Sequence, residues 1–172
     1  MVQESMADLA PRPMWRDALI SSEGVYRYLL RRRWSDDSVL WIIMLNPSTA
    51  DGRADDPTIR KCMAIARENG YGGILVANLF AYRATNPDEL RRVVDPVGPD
   101  DDSVLRGVGG GRVMVAWGAM RRGGGMAKRV GQVLELLAPR ELVCVGSTAD
   151  GSPRHPLYVG RPYDLRSWAP AA

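Results

Sequence analysis

Cysteine, histidine, lysine and phenylalanine are all scarce in this sequence. It contains two cysteines and one histidine, too few for a four-cysteine zinc or iron–sulfur site, so we expect neither a metal nor another cofactor. Cys62 and Cys144 both lie in apolar patterns, as small core residues do. Unpaired cysteines fit a reducing compartment, which predicts a cytoplasmic location.

Long apolar runs are also missing, which argues against a membrane partner. The longest runs, 39–45 and 74–77, fall far below the roughly 20 residues that span a bilayer. The first residues, MVQESMADLAPRP, carry acids and no apolar segment of the kind that a secretory signal needs. At 172 residues with 45% hydrophobic and 25% charged residues, the chain has the composition of one globular domain. We expect a flexible N-terminal arm over 1–14, one domain over 15–172 and a monomer.

The positive charge comes almost entirely from arginine. Lys61 and Lys128 are the only lysines among 23 basic residues, and the net charge is +3. A GC-rich coding bias would produce this composition, and so would a need for guanidinium groups that contact phosphates. The two explanations are compatible.

Apolar runs alternate with helical patterns along the chain. A helix is predicted from the Asp56-Pro57 pair to Asn69, and another over 126–137. The run 25–34 is expected to form a hairpin with the first core strand. These patterns predict an α/β fold with a short, mostly parallel four-stranded sheet, helices on both faces and an additional N-terminal hairpin strand. The four predicted core strands are Val39–Leu45, Gly72–Phe80, Arg112–Trp117 and Glu141–Val145.

Three unusual polar residues follow or end separate predicted strands. Asn46 stops the first strand and precedes a proline, Asn78 interrupts an apolar strand, and His155 follows the fourth strand. Ligands of parallel sheets bind at the carboxyl ends of the strands, where these residues would meet. Each also has a structural interpretation: a simple Asn-Pro turn, an asparagine bridging backbone groups, and an exposed loop histidine.

Acidic and anion-binding candidates lie in the two loops at the same edge. Asp51 and Asp55 are candidates for activating a water molecule, although three carboxylates in one loop, with Asp56, give only a weak metal signal. Asp56 is interpreted as the cap of the following helix. In the loop after the fourth strand, Ser147 and Arg154 are candidate anion ligands.

The order of these motifs resembles that of the uracil-DNA glycosylase superfamily. Met44–Ser48 is similar to the Gly-Ile-Asn-Pro-Gly motif of its mismatch-specific branch, Ala77–Pro87 to a stretch of its thermophilic branch, and His155-Pro156 to the start of its third motif. More closely, MLNPSTAD, DDPT and PRHPLY resemble the signature of a bacterial and phage family of unknown function, DUF1643.

The superfamily resemblance implies an enzyme that hydrolyses the N-glycosidic bond of a base flipped out of DNA, with no cofactor. It implies that Asn46 positions the attacking water, that His155 stabilises the charge developing on the leaving base, and that Asn78 reads the base edge.

The same resemblance assigns a role to Ser48, while the roles of Phe80, Arg83 and Arg154 are expectations from their places in the sequence. Ser48 stands where the uracil-specific branch has a tyrosine that blocks the C5 methyl of thymine, so a mispaired or C5-substituted pyrimidine is expected to enter as well as uracil. Phe80 is expected beside the base, and Arg83 and Arg154 are expected to contact phosphates. Two alternatives stay open. One is an enzyme acting on a free nucleotide or an RNA base through Asp51 or Asp55, and the other is a non-catalytic nucleic-acid-binding module.

Overall fold

A computed structural model describes residues 15–120 and 124–170, and the predicted arm over 1–14 lies outside them. The described residues contain three α-helices: α1 (Pro57–Glu68), α2 (Asp101–Arg106) and α3 (Gly125–Leu137). Short 3₁₀ helices span Pro87–Arg91 and Pro156–Tyr158. The strands are β1 (Trp15–Ile20), β2 (Arg27–Arg33), β3 (Val39–Met44), β4 (Gly73–Asn78), β5 (Arg112–Val115), β6 (Glu141–Cys144) and β7 (Arg166–Ser167).

All of these strands join one mixed sheet in the order β1-β2-β4-β3-β5-β6-β7. The pairs β4–β3, β3–β5 and β5–β6 are parallel. The pairs β1–β2, β2–β4 and β6–β7 are antiparallel. The sheet therefore changes from antiparallel to parallel pairing at β4.

The predicted fold class, a short and mostly parallel four-stranded sheet with one hairpin strand, is wrong. Within the described residues the sheet has seven strands, and β2 pairs with β1 and β4 rather than with β3, so the predicted hairpin between β2 and β3 does not form. The extra strands carry weak signals: β1 has no regular alternation of polar and apolar residues and lies at a partly exposed edge, and β7 is two residues long. Edge strands are often short or charged because their outer backbone faces solvent.

The two faces of the sheet bury separate apolar clusters. One cluster joins alternate strand residues such as Ile42 and Val76 to the apolar side of α1, including Ile59 and Ile65. The other lies under α2 and α3 and contains Phe80, among others. Each fully buried Leu, Ile or Val contributes roughly 1.5–3 kcal/mol, so these clusters dominate the stability. Within the described part of the chain, no helix is long and apolar enough to cross a membrane.

The start of α1 is fixed by the residues predicted to fix it. The Asp56 carboxylate accepts a hydrogen bond from the Ile59 backbone N–H at 2.8 Å, and Pro57 occupies the first turn, where no backbone donor is needed. This places the polar loop 45–56 between the end of β3 and the start of α1.

Candidate functional site

The carboxyl ends of β3 and β4 form a continuous platform at one edge of the sheet. Met44 and Asn78 are register partners, and the pairing extends past both strands through hydrogen bonds from Leu79 N to Met44 O (2.8 Å) and from Phe80 N to Leu45 O (3.0 Å). The first residues of the loop after β3 are therefore held against the segment after β4.

Asn46 fastens these two segments together. Its side-chain Nδ2 donates to Ala84 O at 2.7 Å and to Pro47 O at 3.0 Å, and Ala84 N also donates to Pro47 O at 3.0 Å. Both amide hydrogens are thereby used in the platform. The Oδ1 atom, with its orientation fixed, is the part of the side chain that can accept a hydrogen bond from a water or a ligand.

Asn78 is the most informative polar residue at this edge. Val76 and Ile74, two and four residues before it, pack in the cluster under α1, so strand alternation places Asn78 on that face. It is 1% exposed, and neither Nδ2 nor Oδ1 has a hydrogen-bond partner among residues 15–120 and 124–170. Leaving such buried groups unpaired costs about 1–3 kcal/mol each. The structural interpretation, an asparagine bridging backbone groups, is therefore not what the geometry shows.

Arg27 is a buried cation that was not among the predicted site residues. It is the first residue of β2, is 3% exposed and follows an irregularity in the β1–β2 pairing at Leu19 and Ile20. Its Nη1 donates to Ala50 O at 2.6 Å, while its buried Nε has no partner in the described structure. Burial lowers the pKa of Arg27 to about 10, so the side chain stays charged at neutral pH. Its position within the apolar run Val25–Leu30 was the available signal.

Arg83 lies beside Arg27. The backbones of the two segments are paired, since Arg27 N donates to Ala81 O at 2.9 Å and Arg83 N to Val25 O at 3.0 Å. The Arg83 Nη1 donates to Gly24 O at 3.2 Å, and its buried Nε, like that of Arg27, has no partner in the part of the chain described.

The acidic loop serves mainly to hold itself in place. Asp51 Oδ1 accepts from the backbone N–H of Arg53 (2.7 Å) and of Ala54 (2.9 Å), which lowers the pKa of Asp51. Asp55 forms ion pairs with Arg16 and Arg32, both at 2.8 Å. The two carboxylates proposed to activate water are thus engaged with the loop and with β1 and β2. Among the described residues, no group of three or more Asp, Glu, His or Cys side chains could hold a metal ion.

His155 reaches the same sheet edge from the loop after β6. A Cβ atom on Gly118, just beyond β5, would lie 3.3 Å from the His155 Cβ. The Leu157 backbone N–H donates to His155 Nδ1 at 3.3 Å, which leaves the proton of the neutral ring on Nε2. Burial lowers the pKa of His155, while the nearby charge of Asp56 acts in the opposite direction. The ring is therefore a neutral donor at physiological pH.

A cleft of about 510 Å³ opens beside His155. Arg154 is exposed at this cleft, and its Nη2 donates to the backbone oxygen of Ser147 at 3.1 Å. The cleft places a neutral imidazole donor and an exposed guanidinium on one surface. Its wall also includes Leu45, Trp117, Gly118, Thr148 and Tyr158.

Phe80 lies away from Asn78. It belongs to the cluster under α2 and α3 and lines a second cavity, of about 880 Å³, next to Lys128 and Arg129. Arg129 donates through Nη2 to the Asp101 carboxyl group at 2.9 Å, and its Nη1 lies 2.7 Å from the Asp102 carboxylate. The regular strand ends at Asn78, so the alternation that would have kept Phe80 on the same face stops there, although Phe80 N still bonds Leu45 O.

The structure brings part of the predicted site together at the carboxyl ends of β3 and β4. Asn46 and Asn78 end neighbouring strands, and half-buried Ser48 follows in the same loop as Asn46. Of the predicted site residues, His155 and Arg154 line the smaller cleft, Phe80 lines the other cavity, and Asn46, Asn78 and Ser48 line neither of the two. The negative charge of Asp56 acts on both Arg27 and His155, and it partly offsets the lowering of their pKa values by burial.

Comparison with known proteins identifies the family but no activity. The family model described as "Protein of unknown function (DUF1643)" matches residues 27–157, more than half of the chain. No curated protein and no solved structure matches the chain. The resemblance to the uracil-DNA glycosylase superfamily therefore stays a prediction, while the resemblance carried by MLNPSTAD, DDPT and PRHPLY is confirmed. The chain belongs to the DUF1643 family.

Proposed function

We propose that the protein binds a nucleobase turned out of a nucleic acid and hydrolyses its N-glycosidic bond. The observation that carries this proposal is the buried, unpartnered amide of Asn78. A carboxamide offers a donor and an acceptor side by side, which matches the paired donor and acceptor on one edge of a base. The free-energy cost of leaving Asn78 unpaired is recovered when a base supplies both partners.

The reaction that we propose at the carboxyl ends of β3 and β4 is a displacement at C1′ of the sugar. A water molecule held by Asn46 Oδ1 forms the new bond to C1′, the bond from C1′ to the base nitrogen breaks, and its electron pair leaves with the base. The water loses its proton to solvent, and the base regains one there. The neutral His155 ring donates its Nε2–H to the base oxygen on which negative charge develops. A preorganised donor of this kind usually contributes the largest catalytic effect.

The substrate in this proposal is DNA, with the base selected loosely at C5. Arg154 is exposed at the cleft and is assigned to a backbone phosphate. Ser48 is small, so we expect a mispaired or C5-substituted pyrimidine to be accepted at least as well as uracil. Both cysteines are buried and free, in keeping with the proposed cytoplasmic location, and we propose a monomer.

The alternative enzyme, which would use Asp51 or Asp55 as a base on a free nucleotide or an RNA base, has less support. Both carboxylates are already engaged, one by two backbone N–H groups and the other by two arginines. The hydrogen bonds to Asp51 lower its pKa and make it a weaker base, and the Asp55 carboxylate is held toward β1 and β2 by its two arginines.

The test is single-turnover excision on oligonucleotides that carry uracil, a mismatch or a C5-modified pyrimidine. We expect abasic sites with wild type, and a rate lower by roughly 10²–10³ with His155→Ala. Asn78→Ala should lose excision, whereas Asn69→Ala should keep it. Asn69 is the matched control because its amide bonds Ile65 O and Tyr163 O at the far end of α1.

Three outcomes would contradict the proposal. Release of bases from free nucleotides but never from oligonucleotides would select the alternative enzyme. Oligonucleotide binding without any abasic product would select a non-catalytic binding module. Equal excision by wild type and Asn78→Ala would show that Asn78 does not read the base.

A further inference from the structure

Two buried arginines on β2 differ sharply in their partners. Arg32 is 0% exposed, and its Nε bonds the Asp55 carboxylate at 2.8 Å. Arg27 is also buried, but it bonds a single carbonyl, that of Ala50, and it forms no ion pair with any described residue. The remaining partners of Arg32 are the backbone oxygens of Asp17, Arg31, Asp51 and Ala54.

The surroundings of Arg27 leave positive charge in excess. A buried guanidinium without a paired anion is unfavourable, and the neighbouring Arg83 adds a second charge of the same sign. Asp56 and Asp51 act on Arg27 only through space, since the Asp56 carboxylate caps α1 and the Asp51 carboxylate closes its own turn.

Unused donors accompany this charge. The Nε atoms of Arg27 and Arg83 and the Nδ2 atom of Asn78 are all buried and all lack acceptors in the described parts of the chain. The three residues lie on paired segments, because the β2–β4 pairing continues into the bridge between Tyr26 and Tyr82. Unused donors beside uncompensated positive charge are what an oxyanion requires, since it brings several acceptor lone pairs and negative charge together.

We infer that Arg27 and Arg83 form an oxyanion subsite next to Asn78, and that the ligand read by Asn78 carries a phosphate or carboxylate group there. The inference rests on the proposed function for the base itself, while the anion is argued from the arginines alone. A phosphate would belong to the nucleotide or its strand. A carboxylate would be a substituent on the base.

Binding measurements on the full chain test this without any excision. The probes are inorganic phosphate, acetate, a pyrimidine nucleoside, its 5′-monophosphate and a uracil that bears a ring carboxylate. Calorimetry and thermal melting are run at constant ionic strength, with chloride as the reference anion. At a concentration about 100 times its Kd, an anionic probe should raise the melting temperature by roughly 5–10 °C. A preference for the monophosphate assigns the subsite to phosphate, and a preference for the carboxylated base assigns it to a substituent.

Arg27→Met is the decisive variant and Arg33→Met its matched control. Arg33 is the last residue of β2, at the other end of the strand from Arg27, and its guanidinium donates to the carbonyls of Ser35 and Asp36. We expect Arg27→Met to weaken anion binding at least about tenfold and to melt no lower than wild type without ligand, because it removes an unpaired charge. Arg33→Met should bind anions as wild type does.

Two results would overturn the inference. The first is that phosphate and every other anionic probe change the melting temperature of wild type no more than chloride does. This result does not depend on the folding of any variant. The second is an Arg27→Met protein that binds anions like wild type. Anion binding without base excision would refute the proposed function and leave the subsite standing. If wild type excised bases but bound no anion, and Arg27→Met excised them at the same rate, the subsite would be refuted and the proposed function would stand.

Discussion

Replacing Arg32 by methionine should be among the most destabilising single changes in the described chain. The guanidinium is fully buried and paired at 2.8 Å with Asp55, whose side chain is 15% exposed. Removing one partner of a buried pair typically costs about 3–5 kcal/mol, because the other charge and the abandoned acceptors stay buried. Asp55 keeps its ion pair with Arg16, which sets the expectation nearer the lower value. The abandoned acceptors include the carbonyls of Asp17, Arg31, Asp51 and Ala54.

The magnitude is large against the total stability of such a domain, about 5–15 kcal/mol. For a chain of this size it corresponds to a fall in Tm of roughly 6–20 °C. Urea unfolding followed by tryptophan fluorescence measures it, since Trp34, Trp41 and Trp117 are buried reporters. The matched control is Arg31→Met, whose ion pair with Asp17 is about half exposed and is worth about 0–1 kcal/mol. If both variants lost the same stability, the argument from burial and partner number would be refuted.

Three further changes test other parts of the structure. Burial raises the pKa of Asp101 to about 7, so the folded protein keeps a proton there that the unfolded chain has lost above about pH 4. The free energy of unfolding of wild type, measured in urea, should therefore fall by roughly 2–3 kcal/mol from pH 5 to pH 8. Asp101→Asn keeps a hydrogen bond to Arg129 and should remove that pH dependence. Asp56→Ala should cost about 0.5–2 kcal/mol in urea unfolding by removing the cap of α1, and should lower the pKa of His155 measured by NMR. Gly118→Ala should cost about 1–3 kcal/mol in thermal unfolding, because Gly118 has φ +83° and its new Cβ would press on His155; an unchanged Tm would contradict this.

The central strands were predictable and the sheet around them was not. Uninterrupted apolar runs mark β3 and β4, because strands buried on both faces need no polar side. By contrast, β1 has neither a long uninterrupted apolar run nor a regular alternation of polar and apolar residues. The order of neighbours is also invisible in local pattern: β2 and β3 are consecutive in sequence, yet β4 lies between them. A hairpin between β2 and β3 was therefore predicted, whereas each of these strands pairs with β4 instead.

The residues of the candidate site also differ in how far local sequence reveals them. Asn78 could be found from sequence because an asparagine inside an apolar strand is unusual whatever the topology. Arg27 gave only a weak signal, its place in the apolar run Val25–Leu30, since an arginine between two tyrosines is also ordinary on an exposed strand. Only the tertiary structure shows that this arginine is 3% exposed. The partners of Asn46 were equally hidden, because Ala84 is brought to it by the pairing of two loops.

The mixed topology is also what makes the proposed site possible. In an all-parallel sheet, the first residue of a strand lies at the edge opposite to the last residue of its neighbour. Here β2 runs antiparallel to β4, so Arg27, which begins β2, reaches the edge where Asn78 ends β4. On the other side of β4 the parallel partner β3 delivers Asn46 to that same edge. The change of pairing at β4 thus brings a cation from the start of one strand to two amides from the ends of others. A wholly parallel sheet could have supplied the amides but would have left Arg27 at the far edge.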